Sequence, residues 1–244
     1  MVLAFPYQPA QRTATGRIWE GKKLLVDFDG TLAECGKKDE NSRQYELRRV
    51  RNGADATLRM VGERGGRCFI TSAGHDSYVR EMAGKASLLS LFEHVFDCDD
   101  LRVMMIREGE DWRATAKSYV RVMEHVSEGD PAANCAVIGN DPGLDVPRSP
   151  QGVVTVLSSM DADFSGIVSY LEALLLIGKG SFAAGFDRVH PCGSTVIGGT
   201  RVRTVSEGSW LFRGIGTGKA RVALFGMDEG EIAYHIQQPQ AVAV

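Results

Sequence analysis

Residues 24–34, with the sequence LLVDFDGTLAE, join an apolar run to two closely spaced carboxylates. A run of apolar residues ends at Asp27, and a second carboxylate, Asp29, follows two positions later. The pattern predicts a short buried strand over 22–28 that leaves the sheet through a tight turn at Gly30. Because buried carboxylates are costly unless they are paired or bound to a cation, two aspartates at a strand end predict a functional site.

Strand-like and helix-like patterns alternate from about residue 22 to residue 178. Short apolar runs predict strands at 22–28, 67–70, 134–139 and 152–157, and a short strand that follows a helical turn within 88–96. Apolar residues at helical spacing predict helices at 45–63, from 77 onward, at 111–126 and at 164–177, with a loop at 35–44. This alternation predicts an α/β fold, in which a Rossmann-like parallel sheet carries helices on both faces.

The pattern of apolar residues changes after residue 179. Short β-type runs at 195–197, 200–205, 210–212, 221–225 and 231–236 are separated by glycine-containing turns. Their spacing predicts a small C-terminal antiparallel β element. We therefore expect a lead-in segment at 1–20, an α/β catalytic domain at 21–179 and a β-rich extension at 180–244.

Composition narrows the function class. The chain has 244 residues, of which 43% are hydrophobic and 24% charged, with a net charge of −3. Such a chain can bury a sizeable core, and no overall basic field draws it to nucleic acid or to a membrane. Five dispersed cysteines without a CxxC pair indicate a reducing compartment, and no signal segment or membrane-length apolar run is seen, so we expect a cytoplasmic protein.

Polar residues follow the ends of the predicted parallel strands. They are Asp27 and Asp29 after the first strand, Thr71 and Ser72 after the second, and Asp141 and Asp145 after the third, with Lys117 on the helix before the third strand. In an open α/β sheet, ligands bind beyond the carboxyl ends of the strands. These groups are therefore expected to form one site.

The four segments together resemble the haloacid dehalogenase superfamily: VDFDGT at 26–31, FITSAG at 69–74, Lys117, and GNDPGLD at 139–145. The resemblance spans roughly residues 22–178 and implies a hydrolase of the phosphatase type. Asp29 favours phosphate chemistry over dehalogenation, because a departing alkoxide needs a proton and a halide does not. The intervals in which this superfamily inserts caps are short here, which implies a capless or minimally capped member.

The resemblance also implies roles for individual residues. Asp27 would be the nucleophile that forms an aspartyl phosphate, and Asp29 would be the general acid and base. Thr71, Ser72 and Lys117 would bind the phosphoryl group. Mg²⁺ would be held by Asp27, the backbone carbonyl of Asp29, Asp141 and Asp145, with Asp145 either supporting the metal or orienting Lys117. In the third loop, Asn140 shifts the motif by one residue, so the alignment of Asp141 with the metal ligand stays open.

Several features allow a second interpretation. Four arginines lie in the predicted C-terminal β region: Arg201, Arg203, Arg213 and Arg221. They could form a solvated strand face or bind an anionic polymer. The alternative function is therefore a non-catalytic module that binds a partner through this region. GIGTGK at 214–219 is similar to a phosphate loop, but Ala220 stands where serine or threonine is needed, which favours a glycine-rich hairpin.

Two single residues near the motifs are also ambiguous. His75 is interpreted as a solvated loop residue in preference to a substrate contact, and Cys35 has no neighbouring histidine in sequence to support a nucleophilic role. The expected partner is a phosphorylated metabolite or macromolecule. A homo-oligomer stays open, nucleic acid is not favoured, and no membrane partner is expected.

Overall fold

The computed structural model describes residues 17–39, 44–108, 111–126, 128–146, 152–190, 195–197, 200–204 and 221–227. The strands are β1 (Lys23–Val26), β2 (Ala33–Lys37), β3 (Tyr45–Val50), β4 (Arg67–Thr71), β5 (His94–Phe96), β6 (Met105–Glu108), β7 (Asp111–Ala114), β8 (Cys135–Gly139), β9 (Val154–Ser158), β10 (Thr195–Ile197), β11 (Thr200–Thr204) and β12 (Arg221–Phe225). The helices are α1 (Ala54–Glu63), α2 (Asp76–Lys85), α3 (Val120–Val126), α4 (Pro131–Asn134), α5 (Phe164–Ile177) and α6 (Phe182–Val189), with a 3₁₀ turn at Leu89–Leu91.

Strand β1 lies inside the main sheet, between β4 and β8. Over the described residues the strand order is β10-β11-β12-β9-β8-β1-β4-β5. The strands from β12 to β5 are parallel, whereas β10 and β11 run antiparallel at one edge. The predicted parallel α/β sheet and the antiparallel β element near the C-terminus are both confirmed.

The side chains of β1 enter hydrophobic cores on both faces of the sheet. Leu24 and Val26 pack into the cluster that contains the buried faces of α1 and α5. Leu25 packs into the cluster that contains Val122 and Met123 of α3. Successive side chains of a strand point to opposite faces of the sheet, so a strand that is buried on both faces needs an unbroken run of apolar residues.

The segment after the first motif forms a hairpin, which corrects the prediction of a loop at 35–44 and a helix from residue 45. Strand β3 pairs antiparallel with β2, and α1 begins only at Ala54. Leu47 and Val50 are three residues apart, which also suits a helix, and this spacing misled the prediction. The turn signal that was missed is Gly53, whose φ of 72° is left-handed and separates strand from helix.

The helix predicted at 111–126 is also wrong in its first half. Residues 111–114 form β7, which pairs with β6, and only Val120–Val126 is helical. Lys117 therefore lies in the connection that precedes α3 and not on a helix. A pairing with an upstream strand leaves no trace in the periodicity of the later segment, so the pattern of residues 111–126 alone could not reveal it.

The chain after residue 179 contains a helix that the β-type pattern did not predict. Helix α6 packs beside α5, and β12 extends the main sheet next to β9. The predicted strands at 210–212 and 231–236 and the hairpin at 214–219 lie outside the described residues, and the division into three segments stays a prediction. Among the described residues no single helix is long and apolar enough to cross a membrane; α5 and α6 reach that composition and length only together, across a 92° bend.

Candidate active site

The carboxyl ends of β1, β4 and β8 bring the predicted site residues together. Because β1 pairs with both neighbours in parallel, Asp27, Thr71 and the 140–145 loop emerge at the same edge of the sheet. Lys117 reaches this edge from the connection before α3. The side chains of Asp27, Thr71, Lys117 and Asp145 are all buried.

Lys117 joins the three strand ends through its ammonium group. Its Nζ donates to Asp27 Oδ1 at 2.6 Å, to Asp145 Oδ1 at 2.5 Å and to the Thr71 carbonyl oxygen at 2.9 Å. Burial alone would lower the pKa of Lys117, but Asp145 and Asp27 outweigh it and raise that pKa, so the group is an ammonium ion at neutral pH. Although the sequence placed Lys117 on the wrong element, the structure brings it to the predicted site.

Thr31 and Lys117 each donate a hydrogen bond to the carboxylate of Asp27, but the positive charge nearby does not balance the negative charge. Thr31 Oγ1 donates to Asp27 Oδ2 at 2.8 Å, while Lys117 donates to the other oxygen. Burial raises the pKa of Asp27, and Lys117 only partly opposes this effect. One ammonium group here faces two buried carboxylates, Asp27 and Asp145, and the local charge therefore favours an additional cation.

Asp145 uses both of its carboxylate oxygens within the chain. Oδ1 accepts from Lys117, and Oδ2 accepts from the backbone N–H groups of Asn140 at 3.0 Å and Asp141 at 2.9 Å. A Cβ on Gly139 would collide with the Asp145 side chain, so glycine is required directly before this loop. These contacts link Lys117 to the backbone of the 140–145 loop through the Asp145 carboxylate.

Asp29 lies between the β2–β3 hairpin and α2. Tyr78 donates its hydroxyl hydrogen to Asp29 Oδ1 at 2.7 Å, and the ring of Tyr45 packs edge-on against that of Tyr78 with centroids 5.0 Å apart. Burial raises the pKa of Asp29, although hydrogen bonds from Tyr78 and Cys35 oppose it. A carboxyl group with a raised pKa is suited to deliver a proton. No sequence signal marked Tyr78 as a site residue.

Asn140, which the sequence did not predict as a site residue, lies beside Asp27 and Asp29. One terminal atom of its amide lies 3.1 Å from Asp27 Oδ2 and 3.2 Å from the Asp29 carbonyl oxygen. As a nitrogen this atom donates to both oxygens; as an oxygen it adds a third ligand atom that faces the same point. Asp141, in contrast, uses Oδ1 to accept from the N–H groups of Gly143 and Leu144 and so closes a turn.

Thr71 and Ser72 form part of the wall of the site. Thr71 Oγ1 lies 3.4 Å from the hydroxyl of Tyr119. The backbone N–H of Ser72, expected to assist phosphate binding, donates to the Phe96 carbonyl oxygen at 3.0 Å, and Ser72 Oγ accepts from the N–H of Gly74. The Ser72 N–H is thus already bonded to the end of the neighbouring strand.

The residues present fit a magnesium ion. Mg²⁺ takes oxygen ligands at about 2.0–2.1 Å in an octahedron, so adjacent ligand atoms are roughly 3.0 Å apart. Asp27 Oδ2 and the Asp29 carbonyl oxygen lie 3.1 and 3.2 Å from one terminal atom of the Asn140 amide, so two oxygen ligands of the type that Mg²⁺ prefers lie near the same amide. Asp27 and Asp145 carry more negative charge than Lys117 neutralises, and this excess favours a divalent cation near them.

The arginines, the cysteine and the histidine that the sequence left ambiguous are placed as follows. Arg221 forms an ion pair with Asp187 of α6 at 2.7 Å and donates to the Gly152 carbonyl oxygen at 2.8 Å, so it connects β12 to its neighbours. This is neither of the two roles expected for it. The side chains of Arg201, Arg203 and Arg213 lie outside the described residues. Cys35 lies beside Asp29, and His75 faces Cys98 Sγ at 3.2 Å.

No protein-family model matches the sequence, and no curated protein matches it. Several solved structures are similar in part, including the following three. The HAD-hydrolase YfnB from Bacillus subtilis, bound to magnesium, is 12% identical, covers 57% of this chain and 87% of its own, and has a TM-score of 0.41. The RNA polymerase II CTD phosphatase Fcp1 of fission yeast, bound to beryllium fluoride, is 18% identical over 51% of this chain and 40% of its own, with a TM-score of 0.35.

The third structure is the core domain of a protein assigned as a phosphoglycolate phosphatase from Streptococcus pneumoniae. It is 13% identical, covers 56% of this chain and 78% of its own, and has a TM-score of 0.32. The first of these is described as a HAD-hydrolase, and the other two are described as phosphatases. At such low identity the residues of the site itself must carry the argument about function.

Proposed function

We propose that the chain is a Mg²⁺-dependent phosphohydrolase that cleaves phosphate monoesters through an aspartyl phosphate on Asp27. The observation that carries this proposal is the buried contact of 2.6 Å between Lys117 Nζ and Asp27 Oδ1. This contact supports the proposal because a carboxylate lies directly beside a positive charge at the carboxyl edge of the sheet. Such a charge stabilises a transferring phosphoryl group without having to move during the reaction.

In the first step, a carboxylate oxygen of Asp27 attacks phosphorus and the bond from phosphorus to the ester oxygen breaks. Asp29 gives its proton to the departing oxygen; its raised pKa keeps more of it protonated near neutral pH than a free aspartate would be. Tyr78 donates to Oδ1 of Asp29 and so orients this carboxyl group. Lys117 and the Thr71 hydroxyl face the phosphoryl oxygens.

In the second step, water attacks phosphorus and the bond from phosphorus to Asp27 breaks. Asp29, now a carboxylate, takes a proton from that water, which restores the free enzyme and releases inorganic phosphate. Asp145 keeps the ammonium of Lys117 in place through both steps, because its second oxygen is anchored by two backbone N–H groups.

We assign the Mg²⁺ ligands to Asp27, the Asp29 carbonyl and the side chain of Asn140. When bound, the metal would supply the positive charge that offsets repulsion between the phosphate and the carboxylates. Asp141 stays a predicted ligand, while Asp145 is assigned to positioning Lys117, because its Oδ1 accepts from the Lys117 ammonium and its Oδ2 accepts from two backbone N–H groups.

The direct test is phosphate release from an aryl phosphate, with Mg²⁺ or with a chelator. Asp27→Asn removes the nucleophile and is expected to lower kcat by at least ~10³-fold. The matched control is Asp55→Asn, an exposed aspartate in the first turn of α1, which should behave as the wild type. An Asp27→Asn protein within about tenfold of wild-type activity would refute the nucleophile, and full activity in chelator would refute the metal.

A further inference from the structure

Four side chains with metal-binding atoms meet in a cluster separate from the residues assigned to Mg²⁺. They are His75, Asp97, Cys98 and Asp99, and one ligand atom from each lies within 4.8 Å of all the others. His75 comes from the loop between β4 and α2, and the other three come from the turn that follows β5. Cys98 is buried, whereas His75 and Asp99 are exposed, so the cluster opens to solvent on one side.

The backbone holds the two segments that carry these side chains together. The N–H of Cys98 donates to the Gly74 carbonyl oxygen at 3.1 Å, and the N–H of Asp76 donates to Asp97 Oδ2 at 3.1 Å. Asp97 Oδ1 accepts from the N–H groups of Asp99 and Asp100, which shapes the turn. Each carboxylate oxygen has two lone pairs, so an oxygen that accepts an N–H can still bind a metal.

The distances and donor types suit a tetrahedral transition metal. His75 Nδ1 lies 3.2 Å from Cys98 Sγ, and Cys98 Sγ lies 3.9 Å from Asp99 Oδ1. Around Zn²⁺, with bonds of about 2.3 Å to sulfur and 2.0–2.2 Å to nitrogen or oxygen, neighbouring ligand atoms are roughly 3.3–3.7 Å apart. These two distances lie on either side of that range, and the ligand atoms all lie within 4.8 Å of one another, so metal binding requires side-chain rotations that bring the outer atoms closer. Thiolate and imidazole select Zn²⁺ over the harder Mg²⁺.

We propose that His75, Cys98 and the carboxylates of Asp97 and Asp99 form a second, structural metal site for Zn²⁺. Binding forms bonds from the metal to His75 Nδ1, Cys98 Sγ and the two carboxylates, and the thiol proton of Cys98 is released to solvent. The metal ties the turn after β5 to the first residue ahead of α2. One turn into that helix, Tyr78 holds Asp29, so the second metal fixes the wall of the proposed phosphate site.

Cobalt substitution in the full chain tests this proposal. After chelator treatment, the protein is titrated with Co²⁺, which adopts the same tetrahedral geometry and absorbs in the near ultraviolet when bound to thiolate. We expect one equivalent with a thiolate-to-cobalt band and tetrahedral visible bands, both removed by Zn²⁺. Cys98→Ser should abolish the thiolate band, and His75→Ala should weaken Co²⁺ binding by at least ~10-fold.

Two variants separate this site from the proposed Mg²⁺ site. Cys35→Ser removes the thiol beside Asp29, and Asp27→Asn removes a proposed Mg²⁺ ligand; both should retain the band. Absence of a thiolate band in folded wild-type protein, meaning that the thiol and imidazole form a hydrogen bond only, would overturn the proposal. So would a band that disappears in Cys35→Ser and persists in Cys98→Ser. Circular dichroism checks folding, and because no activity is measured, the outcome is independent of the proposed hydrolase function.

Discussion

Two buried cations, Lys117 and Arg51, serve different purposes although their exposures are nearly equal, at 2% and 3%. Lys117 faces the carboxylates of Asp27 and Asp145, which raise its pKa. Arg51 donates to the carbonyl oxygens of Thr31, Ser159 and Ala162 and to the hydroxyl of Ser158, and burial lowers its pKa to about 10.

The partners of each cation explain the difference. Neutral oxygens give Arg51 directional hydrogen bonds that join the end of β3 to the connection between β9 and α5. The carboxylates at Lys117 leave an excess of negative charge in a buried site, which is unfavourable for folding unless a cation or a reaction makes use of it. A buried cation surrounded by carbonyl groups therefore indicates a structural link, and one between carboxylates indicates chemistry.

The largest effect that would test this comparison is expected from Lys117→Met. The substitution leaves Asp27 and Asp145 buried without a counter-charge and should cost about 3–5 kcal/mol of unfolding free energy. It also removes the charge that faces the phosphoryl group, so kcat should fall by about 10²–10³-fold. Urea denaturation and phosphate release measure the two effects.

Lys85→Met is the control for Lys117→Met, because Lys85 forms an exposed ion pair with Glu81. It should change the unfolding free energy by less than about 1 kcal/mol. If Lys117→Met proves too unstable to assay, Lys117→Arg retains the charge and should fold with reduced kcat. Wild-type turnover by either Lys117 variant would contradict the assignment.

Arg51→Met is expected to affect stability more than chemistry. The loss of its hydrogen bonds leaves buried carbonyl groups without donors and should cost about 2–4 kcal/mol in urea denaturation. Arg51 also donates to the carbonyl of Thr31, whose hydroxyl holds Asp27, so kcat should fall, but by less than about 10²-fold. Arg48→Met, an exposed position on β3, serves as control. A kcat loss as large as that of Lys117→Met would erase the distinction between the two cations.

Asn140→Ala tests whether the Asn140 side chain helps to bind the Mg²⁺ ion that the excess negative charge beside Lys117 favours. The Mg²⁺ concentration for half-maximal phosphate release should rise about 10–100-fold, with part of kcat recovered at saturating Mg²⁺. Asp141→Ala provides the comparison, because the sequence predicted that residue as the ligand. If Asp141→Ala raises the Mg²⁺ requirement and Asn140→Ala does not, the ligand is Asp141.

Thr155→Val should have the smallest effect. The hydroxyl of Thr155 on β9 is fully buried, and within the described part of the chain it has no hydrogen-bond partner. Replacing it by a methyl group of similar shape should leave the unfolding free energy unchanged or raise it by up to about 1 kcal/mol, with no change in kcat. A clear loss of stability in urea denaturation would show that this hydroxyl is solvated or bonded.

Local sequence patterns predicted those parts of the molecule that depend on neighbours along the chain. The apolar run before Asp27 became β1, and the periodic stretch at 164–177 became α5 with the same ends. Strand ends followed by Asp27, Thr71 and Asp145 could be placed at one edge of the sheet, because parallel strands put their carboxyl ends on the same side.

Pairing between distant segments decided the rest. The hairpins β2–β3 and β6–β7 were not predicted because a strand depends on its partner, and similar spacings of apolar residues occur in helices. Tertiary structure alone placed the Asn140 amide against Asp27, surrounded Arg51 with carbonyl groups and set His75 against Cys98. The sequence shows which reactive residue types follow the strand ends, whereas the fold sets which residues meet, because contacts between distant residues depend on how the whole chain packs.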